Sequence, residues 1–519
     1  MSSDKFLRGA AILTLAGLTV KVIGSFNRIL LSRLLGGEGI GLYQMAYPVY
    51  LLLLAVSSAG IPIAISIIIS EKLAKNDYYN AQRVFKISLC LMAFTGFIFA
   101  GSLFMASGWL IENQIISDAR AYYGLVALTP AVFFSTILAC FRGFFQGHQL
   151  MTPPAVSQIL EQLVRVMTMV LLAYYLLPYG LEYAAAGAAF GAVPGGITGL
   201  IVLSCFYCRY RKRWRLQSSK ITAVKESAAV IIKRLILLAL PVSCANIMVP
   251  VSSSIDMLLV PNRLVASGFA VDEATTLFGY LAGMAQPLLM MATIPTMSMA
   301  TSLVPAISEA SVLQDRAGIA VKAATAMKLC CLLTVPAAVG MSVLAEPISL
   351  LLYGTGKAAT AIMHSGPAIW LLGMHQITTG ILQGIGIINI PMLNMLLGIM
   401  AKVAAAWVLT DAVFNIAGAA WATNINFAVA TLLNLAVLQR YGISFPWKQI
   451  GKIICAALLM GVTAYYLHGF LLAVLPLKAL TAILTIMAAA IIYAVLLPVL
   501  GIADKKELRQ LPVIRKFLK

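Results

Sequence analysis

Apolar positions in this chain come in runs of about twenty residues, far longer than the alternation of a half-buried strand or the one-sided stripe of a surface helix. As helix, a run of that length crosses roughly 30 Å of hydrocarbon. Fourteen such runs can be marked, at about 9–31, 41–70, 84–107, 121–141, 155–177, 183–207, 235–260, 275–307, 323–345, 362–388, 391–410, 416–438, 452–474 and 479–500. The pattern predicts an all-α integral membrane protein. Lys5 and Arg8 precede the first run, but Lys21 interrupts it and no small-x-small cleavage signal follows. It is therefore read as the first span and not as a removable leader.

The chain also repeats itself. When Pro130 is laid on Pro367, Gly143 falls on Gly380, Gln146 and Gly147 on Gln383 and Gly384, Pro154 on Pro391, and Arg165 on Lys402. Further on, "AAGAAF" (185–190) resembles "IAGAAW" (416–421), and "SEKLA" (70–74) pairs with "SEASV" (308–312). An even number of spans per unit preserves orientation, so the repeat is parallel. The expected organisation is an N-terminal six-helix bundle (1–208), a basic cytoplasmic linker (209–234), a C-terminal six-helix bundle (235–440), and two appended helices with a basic cytoplasmic tail (441–519). Two related bundles flanking a cavity form an alternating-access transporter plan.

Composition agrees: 61% of residues are hydrophobic and only 11% charged, which excludes a soluble globule. The net charge of +19 would suggest nucleic acid. With both termini in the cytoplasm, however, most of the 37 Lys and Arg fall in inner loops and ends, as the positive-inside rule requires. The densest cluster, "CRYRKRWRLQSSKITAVKE", reads as an anchor to anionic lipid headgroups, and no nucleic-acid partner is expected. Eight cysteines form no disulfide framework, and the lone Cys205-x-x-Cys208 pair lacks a second half for metal. Neither G-x-x-x-x-G-K-[ST], H-E-x-x-H nor G-x-S-x-G occurs, so the sequence offers no motif for ATP hydrolysis or covalent catalysis, and no enzyme activity or cofactor is expected.

Charges inside spans are expensive and usually face protein or a wet cavity. Lys21 and Arg28 lie seven residues apart in the first span, in line with Thr14. Gln158, Glu161, Gln162, Arg165 and Thr168 share a face of the fifth. Asn394, Gly398 and Lys402 form a weaker stripe in the eleventh. Glu161 and Arg165, one turn apart, can pair, while Lys21, Arg28 and Lys402 leave an excess of positive charge. The set either locks helix packing or lines a cavity for an anion; an arginine fork suits phosphate. Asp256, close in sequence to Asn246 and Ser252–Ser254, is a candidate for coupling to Na+ or H+, with the membrane potential as the other energy source. Gly17, Gly24, Gly187, Gly191 and Gly195 are expected to bring helices close together.

"NRILLSRLLGGEGIGLYQMAYPVY" (27–50), "GIPIAIS" (60–66), "FRGFFQGHQLMTPPAVSQILEQLVRV" (141–166) and "LPYGLEYAAAGAAFG" (177–191) resemble the stage V sporulation protein B and polysaccharide-biosynthesis group. That group lies within the multidrug/oligosaccharidyl-lipid/polysaccharide exporter superfamily, with lipid II flippases as relatives. The resemblance implies a MATE-like, V-shaped fold and export of an undecaprenyl-pyrophosphate-linked peptidoglycan precursor across the bacterial cell membrane, with Lys21 and Arg28 among the residues that meet it. Partners would be the lipid-linked anionic glycan, membrane lipids and possible cell-wall synthases, the protein itself being a monomer. Alternatives are a flippase for another polyprenyl-linked glycan, a cation-coupled multidrug antiporter, and a scaffold that recruits synthases through the basic linker.

Overall fold

The computed structural model describes residues 3–58, 60–218, 225–475 and 477–502, without side chains at 3–11, 211–218, 241 and 244–246. Among the described residues every regular element is helical. Contacts divide the chain after Gly279 into two compact units. Unit 1 contains α1 (Ser3–Ser58), α2 (Ile61–Ala74), α3 (Tyr78–Glu112), α4 (Ala121–Gly147), α5 (Thr152–Leu176), α6 (Leu181–Phe190), α7 (Ala192–Ser218), α8 (Ala228–Ala266) and α9 (Val271–Phe278). Unit 2 begins within a π-helical stretch (Gly279–Ala285). It continues with α10 (Gln286–Ala292), α11 (Ile294–Val312), α12 (Arg316–Val343), α13 (Ala345–Tyr353), α14 (Ala359–Ser365), α15 (Pro367–Gly384), α16 (Asn389–Leu409), α17 (Asn415–Arg440), α18 (Trp447–Val474) and α19 (Lys478–Val499).

By length and apolarity, 10 helices among the described residues can cross a membrane, or up to 11 if the pair Val271–Ala292 and Ile294–Val312, bent by 46°, is one span. Part of the distance from the fourteen runs in the sequence lies in how the spans join. The first two runs form one apolar segment, Ile12–Ala74, of 63 residues. At about 1.5 Å per residue that segment is roughly 95 Å long, so it holds more than one bilayer crossing. Its internal break is Gly36, whose φ of 67° lies where a side chain would clash with its own backbone. Below it, α1 resumes without a loop. The second run is itself interrupted before Gly60, and α2 restarts with Pro62 in its first turn, where the missing N–H costs nothing. Of the basic linker, 209–218 continue α7 and 228–234 begin α8; residues 219–224, the tail beyond 502, and the side chains of Lys5, Arg8 and Asn246 lie outside the described residues.

The glycines matched across the repeat make matching contacts. A Cβ on Gly143 of α4 would sit 2.7 Å from the Pro62 carbonyl oxygen of α2, and one on Gly147 would sit 2.8 Å from Ile69 Cβ. In unit 2, a Cβ on Gly380 of α15 would sit 3.0 Å from the Ala300 carbonyl oxygen of α11, and one on Gly384 would sit 2.7 Å from Ile307 Cβ. Gly187 closes on Leu172 and Gly418 on Leu409 in the same way. Close helix approach through small residues is the main packing device in lipid, where burial against a neighbour gains little over burial in acyl chains. Each repeat thus reproduces the same packing with its own residues.

Apolar cores fill both units. Phe85, Phe141, Phe144 and Tyr207 cluster where α3, α4 and α7 meet. Met327, Ile377, Ile453 and Met460 anchor the packing of α12, α15 and α18.

Candidate functional site

Unit 1 places a charged triad on facing helices. Glu161 of α5 accepts from Arg165 Nη2 one turn later at 2.9 Å, and its other oxygen accepts from Arg142 Nη2 of α4 at 2.5 Å. The carboxylate therefore bridges two guanidiniums, one on each oxygen, with side-chain exposures of 13% for Glu161, 22% for Arg142 and 16% for Arg165. The Nε–H of each arginine is buried and makes no hydrogen bond among the described residues. Leaving a buried donor unused costs about 1–3 kcal/mol, so both arginines retain capacity for a further acceptor.

The surrounding sequence explains how the triad is held. α7 lies against α5 along Gly191, Gly195 and Gly199: a Cβ on Gly195 would sit 2.9 Å from both Arg165 Cβ and the Glu161 carbonyl oxygen, and one on Gly199 would sit 3.3 Å from Glu161 Oε2. Gly191 and Gly195, where a Cβ would sit within 3 Å of α5, let α7 cover the triad from behind. On the other side α1 approaches α5, Gly24 facing Gln162 Nε2 at 3.2 Å from where a Cβ would stand, and Asn27 Nδ2 donating to Met169 Sδ at 3.3 Å. A Cβ on Gly17, by contrast, would meet no atom within 4 Å among the described residues, so the close approach expected there is not seen.

Arg28 of α1 stands over the Tyr47 ring, 5.3 Å from its centroid. Tyr47 stacks on Tyr43 at 5.2 Å, and Tyr50 shares a hydrogen bond with Ser135 at 3.2 Å. Arg165 acts electrostatically on Tyr43, Tyr47 and Tyr50, and Arg28 on Tyr43, so the two arginines share one aromatic neighbourhood. Three arginines and one glutamate give this face a formal charge of +2.

Of the residues expected from sequence, Arg28, Glu161, Gln162 and Arg165 come together here. Gln158 lies one turn before Glu161, half-buried, and Lys21 is exposed on α1. Asp256 is buried in α8, also in unit 1, where Ser254 donates to the Pro48 carbonyl at 3.3 Å. Lys402 belongs to unit 2 and is 2% exposed. Nearby in that unit Asn394 of α16 donates to Asn434 of α17 at 2.8 Å, and Asn434 donates to Thr378 and Thr379 of α15 at 3.1 and 3.2 Å. Thr379 is the repeat counterpart of Arg142, so an amide and hydroxyl network occupies in unit 2 the helices that carry the ion bridge in unit 1.

Sequence reasoning missed Arg142 and the tyrosines. Hydropathy ends the fourth run at about 141, one residue short of Arg142, whereas α4 continues to Gly147. Its signal was an arginine within a glycine and phenylalanine stretch that continues the helical period.

Fold and site together define a multi-pass membrane protein of the transporter class. The fold is that of an inward-facing multidrug resistance MATE family transporter of the MOP superfamily, with a TM-score of 0.71 over 84% of this chain and 98% of that one at 15% identity. It is equally that of the lipid II flippase MurJ in an inward closed conformation, with a TM-score of 0.69 over 98% and 100% at 15% identity. Residues 6–311 match the polysaccharide biosynthesis protein family, and the chain belongs to it. It is 31% identical to stage V sporulation protein B of Bacillus subtilis over 100% of both chains, and 25% identical to the lipid II flippase MurJ of the same organism over 98% of both.

Proposed function

We propose that this protein is a flippase of the bacterial cytoplasmic membrane that moves an undecaprenyl-pyrophosphate-linked peptidoglycan precursor, lipid II, to the outer leaflet for wall or spore cortex synthesis. The observation that carries the reading is the Arg142–Glu161–Arg165 bridge beside Arg28: a desolvated cationic face with two unused guanidinium donors fits the phosphate oxygens of such a headgroup. The name of one full-length relative, lipid II flippase MurJ, supports the cargo and a transport role.

In the working scheme both termini are cytoplasmic, and fourteen helices make two six-helix bundles plus two more. Lys21, Arg28, Arg142 and Arg165 of unit 1 hold the pyrophosphate, Gln158 and Gln162 meet the sugar, and Glu161 orients both arginines, while Lys402 of unit 2 is a further candidate anion contact. Alternating access carries the headgroup while the polyprenyl tail stays in lipid. An inside-negative potential favours outward anion movement by about 2.3 kcal/mol per charge per 100 mV, and Asp256 is the candidate for Na+ or H+ coupling. No metal or cofactor enters the scheme, and the monomer is the working unit.

The test is lipid II accessibility in cells depleted of their own flippase and complemented with this protein, read by an externally added enzyme that cleaves lipid II. Wild type should restore cleavage, and Arg28→Ala, Arg142→Ala and Arg165→Ala, expressed and inserted normally, should not. Failure of wild type would overturn lipid II as cargo. The second reading is then a polysaccharide repeat unit on the same lipid pyrophosphate, which the family's description favours.

A further inference from the structure

Unit 2 contains a cleft that the transport reading does not use. Its volume is about 510 Å³, and it opens between the first turn of α13, the last third of α18 and the first residue of α19. That is within the roughly 300–1,000 Å³ of small-ligand sites. Its polar wall holds Glu346, His468 and Lys478, and its apolar wall Tyr465, Tyr466 and Phe470. Glu346 and Lys478 are both exposed, and neither forms an ion pair among the described residues. His468 shares a hydrogen bond with Thr485 at 3.2 Å, which fixes α18 against α19 behind the cleft.

The cleft's height in the membrane follows from helix length. α18 has 28 residues, about 42 Å of helix, whereas the hydrocarbon is roughly 30 Å thick. Its final turns therefore reach headgroup level. The rings of Tyr465 and Tyr466, 64% and 71% exposed and set edge to face at 5.6 Å, have the amphipathic character of an interfacial belt. Toward the middle of α18, Leu458, Leu459 and Val462 are all at least half exposed, a surface for acyl chains. Polar groups at headgroup level above an apolar wall match the two ends of a phospholipid.

The charges select the headgroup. A carboxylate beside tyrosine faces suits a primary ammonium, through a charge-assisted hydrogen bond and the ring quadrupole together. Lys478 stands at the same opening to meet a phosphate. An anionic glycerol headgroup brings no cation to Glu346, and a quaternary ammonium has no N–H to donate to it. We infer that this cleft is a headgroup site for an aminophospholipid, with the primary ammonium of phosphatidylethanolamine on Glu346, on the same cleft wall as the Tyr465 and Tyr466 rings, and its phosphate on Lys478.

Native mass spectrometry of the full-length protein with equal amounts of phosphatidylethanolamine, phosphatidylglycerol and phosphatidylcholine of identical chains tests this. Wild type should retain phosphatidylethanolamine at least fivefold over the other two. Glu346→Gln should abolish that preference, and Lys478→Gln should lower retention of all three without changing their order. Both side chains are exposed, so neither change threatens folding, and unchanged melting temperatures would verify this. Equal retention of the three lipids by wild type, or a preference that survives Glu346→Gln, overturns the site; full retention in Lys478→Gln overturns the phosphate contact.

Discussion

Replacing Glu161 by alanine removes the one negative charge that two arginines share. At an effective dielectric of about 20, unit charges 4 Å apart attract by about 4 kcal/mol. Two such attractions, at N–O distances of 2.5 and 2.9 Å, give a gross gain of about 8 kcal/mol. Desolvating a carboxylate takes back several of these, which leaves about 3–5 kcal/mol, the usual cost of stranding a buried partner. Glu161→Ala should thus be strongly destabilising in thermal unfolding of the purified protein, read by intrinsic fluorescence. Arg142→Met and Arg165→Met should each cost less, because the carboxylate keeps one partner. Most telling is the triple variant with alanine at 161 and methionine at 142 and 165. It strands no charge and should be more stable than Glu161→Ala alone. A triple variant less stable than that single variant would refute the reasoning, since the bridge would then be a sum of independent contacts.

Three further outcomes are expected. Gly143→Ala and Gly380→Ala place a Cβ 2.7 and 3.0 Å from a carbonyl oxygen of a neighbouring helix, and each should destabilise by about 1–3 kcal/mol in the same assay, Gly143→Ala more; no change in either would mean those helix pairs move apart freely. In the loop after α3, burial works to raise the Asp118 pKa, but hydrogen bonds from Arg120 and from Thr275, at 2.7 and 2.9 Å, hold it below its ordinary value of 3.8. The stabilisation is therefore full above about pH 3.8 and lost as pH falls through the lowered folded value, so Asp118→Asn should flatten the acid limb of the stability profile; an identical limb would count against the pairing. Asn434→Ala should cost about 1–3 kcal/mol by leaving Asn394, Thr378 and Thr379 short of partners, whereas exposed Asn113→Ala should be near neutral in the same melts.

That the chain is built of long apolar helices was legible in the sequence because hydrocarbon imposes a blunt rule: apolar runs span, and charges within them must find protein or water. The matched glycines were legible too, since Gly143, Gly147, Gly380 and Gly384 stand where a Cβ would meet a neighbouring helix at 2.7 to 3.0 Å. Span boundaries were less so. Gly36 and Gly60 break helices without polar loops, and hydropathy does not register a break made by backbone geometry alone. What only the tertiary structure decided is partnership. Glu161 and Arg165 are neighbours on one helix, so their pairing follows from the period of 3.6 residues; Arg142 is 19 positions away from Glu161 and joins them because α7 packs against both α4 and α5 and so sets the two helices side by side. Arg28 meets Tyr47 by the same means, through the fold back at Gly36. Long-range charge pairing depends on helix rotation and crossing angle, and these are set by packing summed over the whole unit, which no single stretch of sequence records.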